Sequence, residues 1–114
     1  MDNEVRRIFL KLVVLKIISD RPIHGYEIIK TIEARSAGQW TPSAGSVYPI
    51  LEGLEKNSII RSEEIDRKKV YTITPKGEVA LKRMTEKKRQ LLEKMTRYID
   101  AVTGEAGEKE WERL

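Results

Sequence analysis

Few side chains in this sequence can do chemistry. There is no cysteine and a single histidine, His24, which leaves no thiolate nucleophile, no disulfide and no His-based zinc site. No nucleophile–base pair, metal-ligand spacing or phosphate-binding glycine motif is present, so no catalytic residue, metal or cofactor is assigned and the chain is not read as an enzyme. What remains is binding chemistry, in two short clusters. "WTPSAGSVYP", residues 40–49, gathers hydroxyls and a glycine at the start of an apolar stripe, and "RKK", residues 67–69, sets three cations side by side. Backbone amides left open by small residues at the positive end of a helix suit a phosphate. Clustered cations suit the same ligand. His24 is expected to cap the helix that follows it or to bond backbone in its turn, and Trp40 to pack in the core or against a hairpin.

The elements that must position these clusters can be read along the chain of 114 residues. That length suits one domain plus an appended element, with a core large enough to need no metal or disulfide. The apolar run 8–18 is too short for a membrane span and holds Lys11 and Lys16; no small-residue cleavage site follows it. It reads as a helix, residues 4–19, buried on most sides. Pro22 breaks it and Gly25 supplies a joint. A second helix follows over 26–35, with Tyr26, Ile29 and Ile32 at helical spacing, Ile28 a further candidate, and Ser36, Ala37 and Gly38 at its end.

The third helix carries Val47, Ile50, Leu51 and Leu54 as one stripe. Ser43 could cap it, or Gly45 and Ser46 could. Pro49 favours the later start, since proline costs little in a first turn. With the earlier start, Gly45 stands four residues before the proline and softens the clash. Asn57 and Ser58 end this helix. Residues 59–65 and 69–74 are rich in β-branched and aromatic side chains and flank the polar 66–68, which predicts a β-hairpin. Thr74 and Pro75 then read as the cap and first position of a long helix to about Val102. Its apolar positions Leu81, Met84, Leu91, Met95, Tyr98 and Val102 step by threes and fours, with Lys88 interrupting. Residues 104–114 are expected to be an acidic, frayed tail.

The predicted class is therefore mainly α with a small β-hairpin. Three helices, a hairpin and a long helix form a winged helix-turn-helix over 1–74 and a C-terminal dimerisation helix over 75–103. In that architecture the third helix enters the DNA major groove with its first residues leading, and the hairpin tip reaches the neighbouring backbone or minor groove. Small residues at that leading end let backbone amides approach. Tyr48 lies off the apolar stripe and is expected to point outward, Arg61 is expected near the tip across the strands, and Glu52 and Glu55 are expected farther along, away from the contact. The net charge of +4 adds little to this. Residues 41–74 hold five Lys+Arg against five Asp+Glu, so the placement of charge carries the argument. A capped helix and a solvated turn would use the same residue types. Their pairing at the two contact points of one architecture favours double-stranded DNA over a winged-helix protein-interaction module.

In register, "PIHGYEIIKTIE", "WTPSAGSVYPILEGLEKNSIIRSEE" and "RKKVYTITPKGEVAL" resemble the PadR family of bacterial and archaeal transcriptional regulators, from about Leu10 to Leu81. The resemblance implies a winged-helix repressor in the cytoplasm, dimerising through its C-terminal helix. It maps DNA contacts onto Ser43, Ser46, Tyr48, Pro49 and Arg67 to Lys69, alongside Thr41 and Gly45 from the reading of the loop. The short C-terminal part is similar to the branch with one dimerisation helix. Some members of that branch hold flat aromatic drugs between subunits, stacked on aromatic residues of that helix. Here its middle offers Lys88 and no tryptophan, with Tyr98 its one aromatic residue, which departs from that pattern. The expected assembly is a homodimer whose 81–102 stripe packs on its mate and on the first helix. Its expected operator is an inverted repeat, and a small-molecule effector between the subunits is a further expectation.

Overall fold

Helix α1 (Asn3–Asp20) stops just before Pro22, which cannot continue a helix. The computed structural model describes residues 3–105, with side chains from Arg6 onward. The acidic tail expected over 104–114 falls outside these residues beyond Glu105. Strand β1 (Ile23–His24) and helix α2 (Gly25–Arg35) follow. The left-handed pair Ala37 and Gly38 ends α2, and the Gly38 N–H donates to the Glu33 carbonyl at 2.8 Å. Helix α3 (Ala44–Lys56) carries its apolar stripe inward: Val47, Ile50, Leu51 and Leu54 are all buried. They meet Leu15 and Ile18 of α1, Ile28 of α2 and Ile60 in one core.

Strands β2 (Ile60–Ile65) and β3 (Lys68–Ile73) pair antiparallel, Ile60 against Ile73 and Ile65 against Lys68. The turn is the two residues Asp66 and Arg67, at φ 51° and 66°. Two consecutive positive φ values define the tight hairpin turn whose twist matches that of the strands. The expected loop over 66–68 is thus one residue shorter, and Lys68 belongs to β3. The sheet also gains a third strand, in the order β1-β3-β2, with Ile23 opposite Tyr71. Two residues are too few to show a period of two, so this strand leaves no pattern in the sequence.

Helix α4 (Pro75–Thr103) opens as expected. Thr74 Oγ1 accepts from the Gly77 N–H at 3.0 Å, and Pro75 takes the first position. Thr74 also donates to the carbonyls of Ser58 and Ile59 at 2.6 and 3.0 Å. Gly77 is buried there because a Cβ would overlap the Ile59 carbonyl and come within 2.7 Å of Ile73 Cγ1. Gly104, at φ 74°, closes the far end as Glu105 N–H donates to the Asp100 carbonyl at 3.1 Å. Residues up to Lys82 form one compact unit, and Arg83 onward forms a second. Among the described residues no helix is long and apolar enough to cross a membrane.

Candidate nucleic-acid interface

Helix α3 takes the earlier of its two starts. Ser43 is the cap, in extended conformation, and its Oγ accepts from the Ser46 N–H at 3.2 Å. Pro49 therefore sits inside the helix, facing the carbonyl of Gly45. The hydroxyls of Ser43 and Ser46 lie 3.0 Å apart. One donates to the other, so a single proton stays available to point outward. The amides of Ala44 and Gly45 have no acceptor among the described residues, and both residues are exposed. Thr41 Oγ1 donates to Glu33 Oε2 at 3.0 Å, so a carboxylate lies close to the leading end. The loop before α3 is braced by Ser36, whose Oγ accepts from the Trp40 N–H at 3.0 Å. Trp40 is half-buried.

Tyr48 does not stand free. Its ring lies across the start of α2, where a Cβ on Gly25 would come within 2.8 Å of both Cε1 and the hydroxyl. The residue keeps 39% exposure, so it is covered beside Gly25 and still partly open. The expectation of an outward ring is corrected to that extent. Gly25 is likewise more than a joint: its φ is not in the left-handed region, and its role is to admit the ring. His24 caps α2, with Nδ1 accepting from the Glu27 N–H at 3.4 Å while Nε2–H faces the Glu27 carboxylate.

Beside Tyr48 a cleft is lined by His24, Tyr26, Lys68, Lys69 and Tyr71. Burial, chiefly, and the nearby Glu55 carboxylate push the Tyr71 phenol above its ordinary range. The three basic residues of the hairpin differ in their surroundings. Lys69 Nζ lies 3.7 Å from Glu55 Oε1, and Glu55 also accepts from the Ser62 hydroxyl. Arg67 and Lys68 are exposed and have no ion-pair partner among the described residues. Glu55, expected to lie clear of the contact, instead ties α3 to the hairpin. Arg61 is not at the tip. It pairs with Thr72, four residues back from Ile65, about 13 Å along the strand.

Along α4, Leu81 and Met84 are half-buried, while Leu91, Met95, Tyr98 and Val102 are exposed. Leu92 and Ile99 are exposed too. They widen the same stripe, and their own seven-residue spacing was the signal for them. Arg89 forms ion pairs with Glu86 and Glu93, and hydrogen bonding to Arg89 holds the Glu86 carboxyl below its usual range.

Comparison with known proteins bears on the family and the fold. Residues 14–83 match the family model described as the transcriptional regulator PadR-like family. Transcriptional regulator YqjI of Escherichia coli is 45% identical over 69 residues, which cover 60% of this chain and 33% of that protein. The matched region thus spans about a third of that relative's length. Among solved structures, a transcriptional regulator from Clostridium thermocellum has a TM-score of 0.80 at 24% identity, covering 87% of this chain and 98% of that one. A PadR family transcription regulator from Clostridium difficile has a TM-score of 0.69 at 20% identity, covering 80% and 98%. At those identities the likeness is one of fold.

Proposed function

The chain belongs to the PadR-like family of transcriptional regulators, and from that premise we propose that it is a homodimeric, sequence-specific DNA-binding repressor. The observation that carries the proposal is the outer face of α4, where Leu91, Met95, Tyr98 and Val102 stand exposed along one stripe of a 29-residue helix. A second copy packed through the same row would cover it. A two-fold dimer presents two α3 helices about one DNA turn apart and calls for an inverted-repeat operator.

In this reading the exposed amides of Ala44 and Gly45 and the hydroxyls of Thr41, Ser43 and Ser46 take phosphate oxygens at the groove edge. Pro49 and the free edge of Tyr48 lie against the bases or sugars. Arg67 and Lys68 take the backbone beside the hairpin, and Lys69 joins them by leaving Glu55. The geometry of Arg67 supports this: a cation held at φ 66° in a turn position that favours glycine has been kept at a conformational cost. Leu81 and Met84 extend the subunit contact toward the root of α4. Repression follows from occupancy of promoter DNA, in the cytoplasm of a bacterial or archaeal cell. Release by a small molecule requires unequal affinity for two dimer geometries.

The test is selection of duplexes from a randomised pool by the purified protein, together with sedimentation. An inverted repeat bound by a species of twice 13.2 kDa is the expected result. A monomer at micromolar concentration removes the dimer. Failure to enrich any sequence, with the fold intact, moves the chain to the class of winged-helix protein-interaction modules.

A further inference from the structure

Three of the four cations of α1, Arg6, Arg7 and Lys11, stand toward its amino-terminal half. Arg6 and Arg7 lie near its amino end, where the helix dipole disfavours positive charge. Arg7 and Lys11 stand four residues apart on one face, a repulsive spacing. Among the described residues none of the three has an ion-pair partner, whereas Lys16, Arg21, Lys30 and Arg35 all do. Arg6, Arg7 and Lys11 are all exposed.

These three side chains line one wall of a groove whose other wall is the flank of α3 that bears Ser46, Pro49, Gly53 and Asn57. The opposite flank of α3 is the one tied to the hairpin through Glu55 and Tyr48. A helix about 10–12 Å across nearly fills a major groove about 12 Å wide, so a sugar-phosphate backbone runs along each of its sides. The hairpin serves one side. We infer that Arg6, Arg7 and Lys11 hold phosphates of the other backbone, making α1 a second electrostatic anchor that grips the duplex from the side opposite the wing. This rests on the DNA-binding reading given above.

The experiment is fluorescence anisotropy with a labelled mixed-sequence duplex of about 30 base pairs over about 50–200 mM KCl, a range in which phosphate contacts are read from the salt slope. The triple variant Arg6→Ala, Arg7→Ala, Lys11→Ala is expected to flatten the slope of log K against log salt by about 2–3, at roughly 0.9 per phosphate lost. Its sedimentation should be unchanged. A control that removes three charges from α4, Arg83→Ala, Lys87→Ala, Arg97→Ala, should keep the wild-type slope. Should the first triple variant unfold, Lys11→Ala alone gives the same reading at about a third of the size. The inference is overturned by an unchanged slope, by equal flattening in the α4 control, or by flattening that accompanies dissociation of the dimer. The variant Arg67→Ala, Lys68→Ala separates the two levels. If it flattens the slope and the α1 variants do not, this inference alone falls; if neither does, the wing contact falls with it.

Discussion

Tyr48 and Gly25 are one contact written at two places in the chain. The ring lies where a side chain at position 25 would be, so neither residue can be judged without the other. Replacing Gly25 with Ala would set a methyl group 2.8 Å from the ring where it now lies, so the exposed end of Tyr48 must swing aside, and the protein should lose about 1 kcal/mol, the low end of the cost of overpacking. In the Gly25→Ala background, Tyr48→Ala should recover part of that loss, because the offending atoms are gone. Urea unfolding of the two single variants and the double variant measures this as a coupling energy. Strictly additive losses would mean that the ring and the glycine do not meet.

At the scale of elements, the hairpin shows a choice between stability and contact. Asp66 and Arg67 both adopt left-handed backbone, for which a residue with a Cβ is disfavoured by roughly 1–2 kcal/mol relative to its ordinary regions. Arg67→Gly should leave the thermal midpoint equal or raise it, a gain of up to about 1 kcal/mol, while lowering DNA affinity and flattening its salt dependence. A melting curve and a salt series on the same sample check both halves. A lower midpoint would show that the arginine is held by contacts rather than retained for a ligand. Much of this layout was legible beforehand. The Val47–Leu54 stripe, the Thr74–Pro75 helix start and the two β-branched runs each follow from local rules. What escaped was set by distant partners. Strand β1 exists because β3 lies beside it, α3 starts at the Ser43 cap although Pro49 then falls inside the helix, and the pose of Tyr48 depends on an atom missing elsewhere.

For the whole molecule, the question is how a second copy is engaged. Leu91 and Met95 are 55% and 48% exposed on the same face of α4, and covering what remains exposed would contribute roughly 0.8–1.5 kcal/mol each, about half the value for full burial. Leu91→Asp with Met95→Asp should therefore yield monomers at micromolar concentration and lower operator affinity by more than tenfold, since the two half-sites would then be bound independently. Sedimentation and anisotropy on that variant check the point, and retention of a dimer would locate the contact elsewhere. One detail at the root of α4 bears on how such an assembly could respond to a signal. Thr74 ties the helix start to the Ser58 and Ile59 carbonyls, and Gly77 seats it directly on the latter. Thr74 alone separates the end of β3 from the start of α4, so the first turn of the helix is built onto the base of the hairpin with no tether between them.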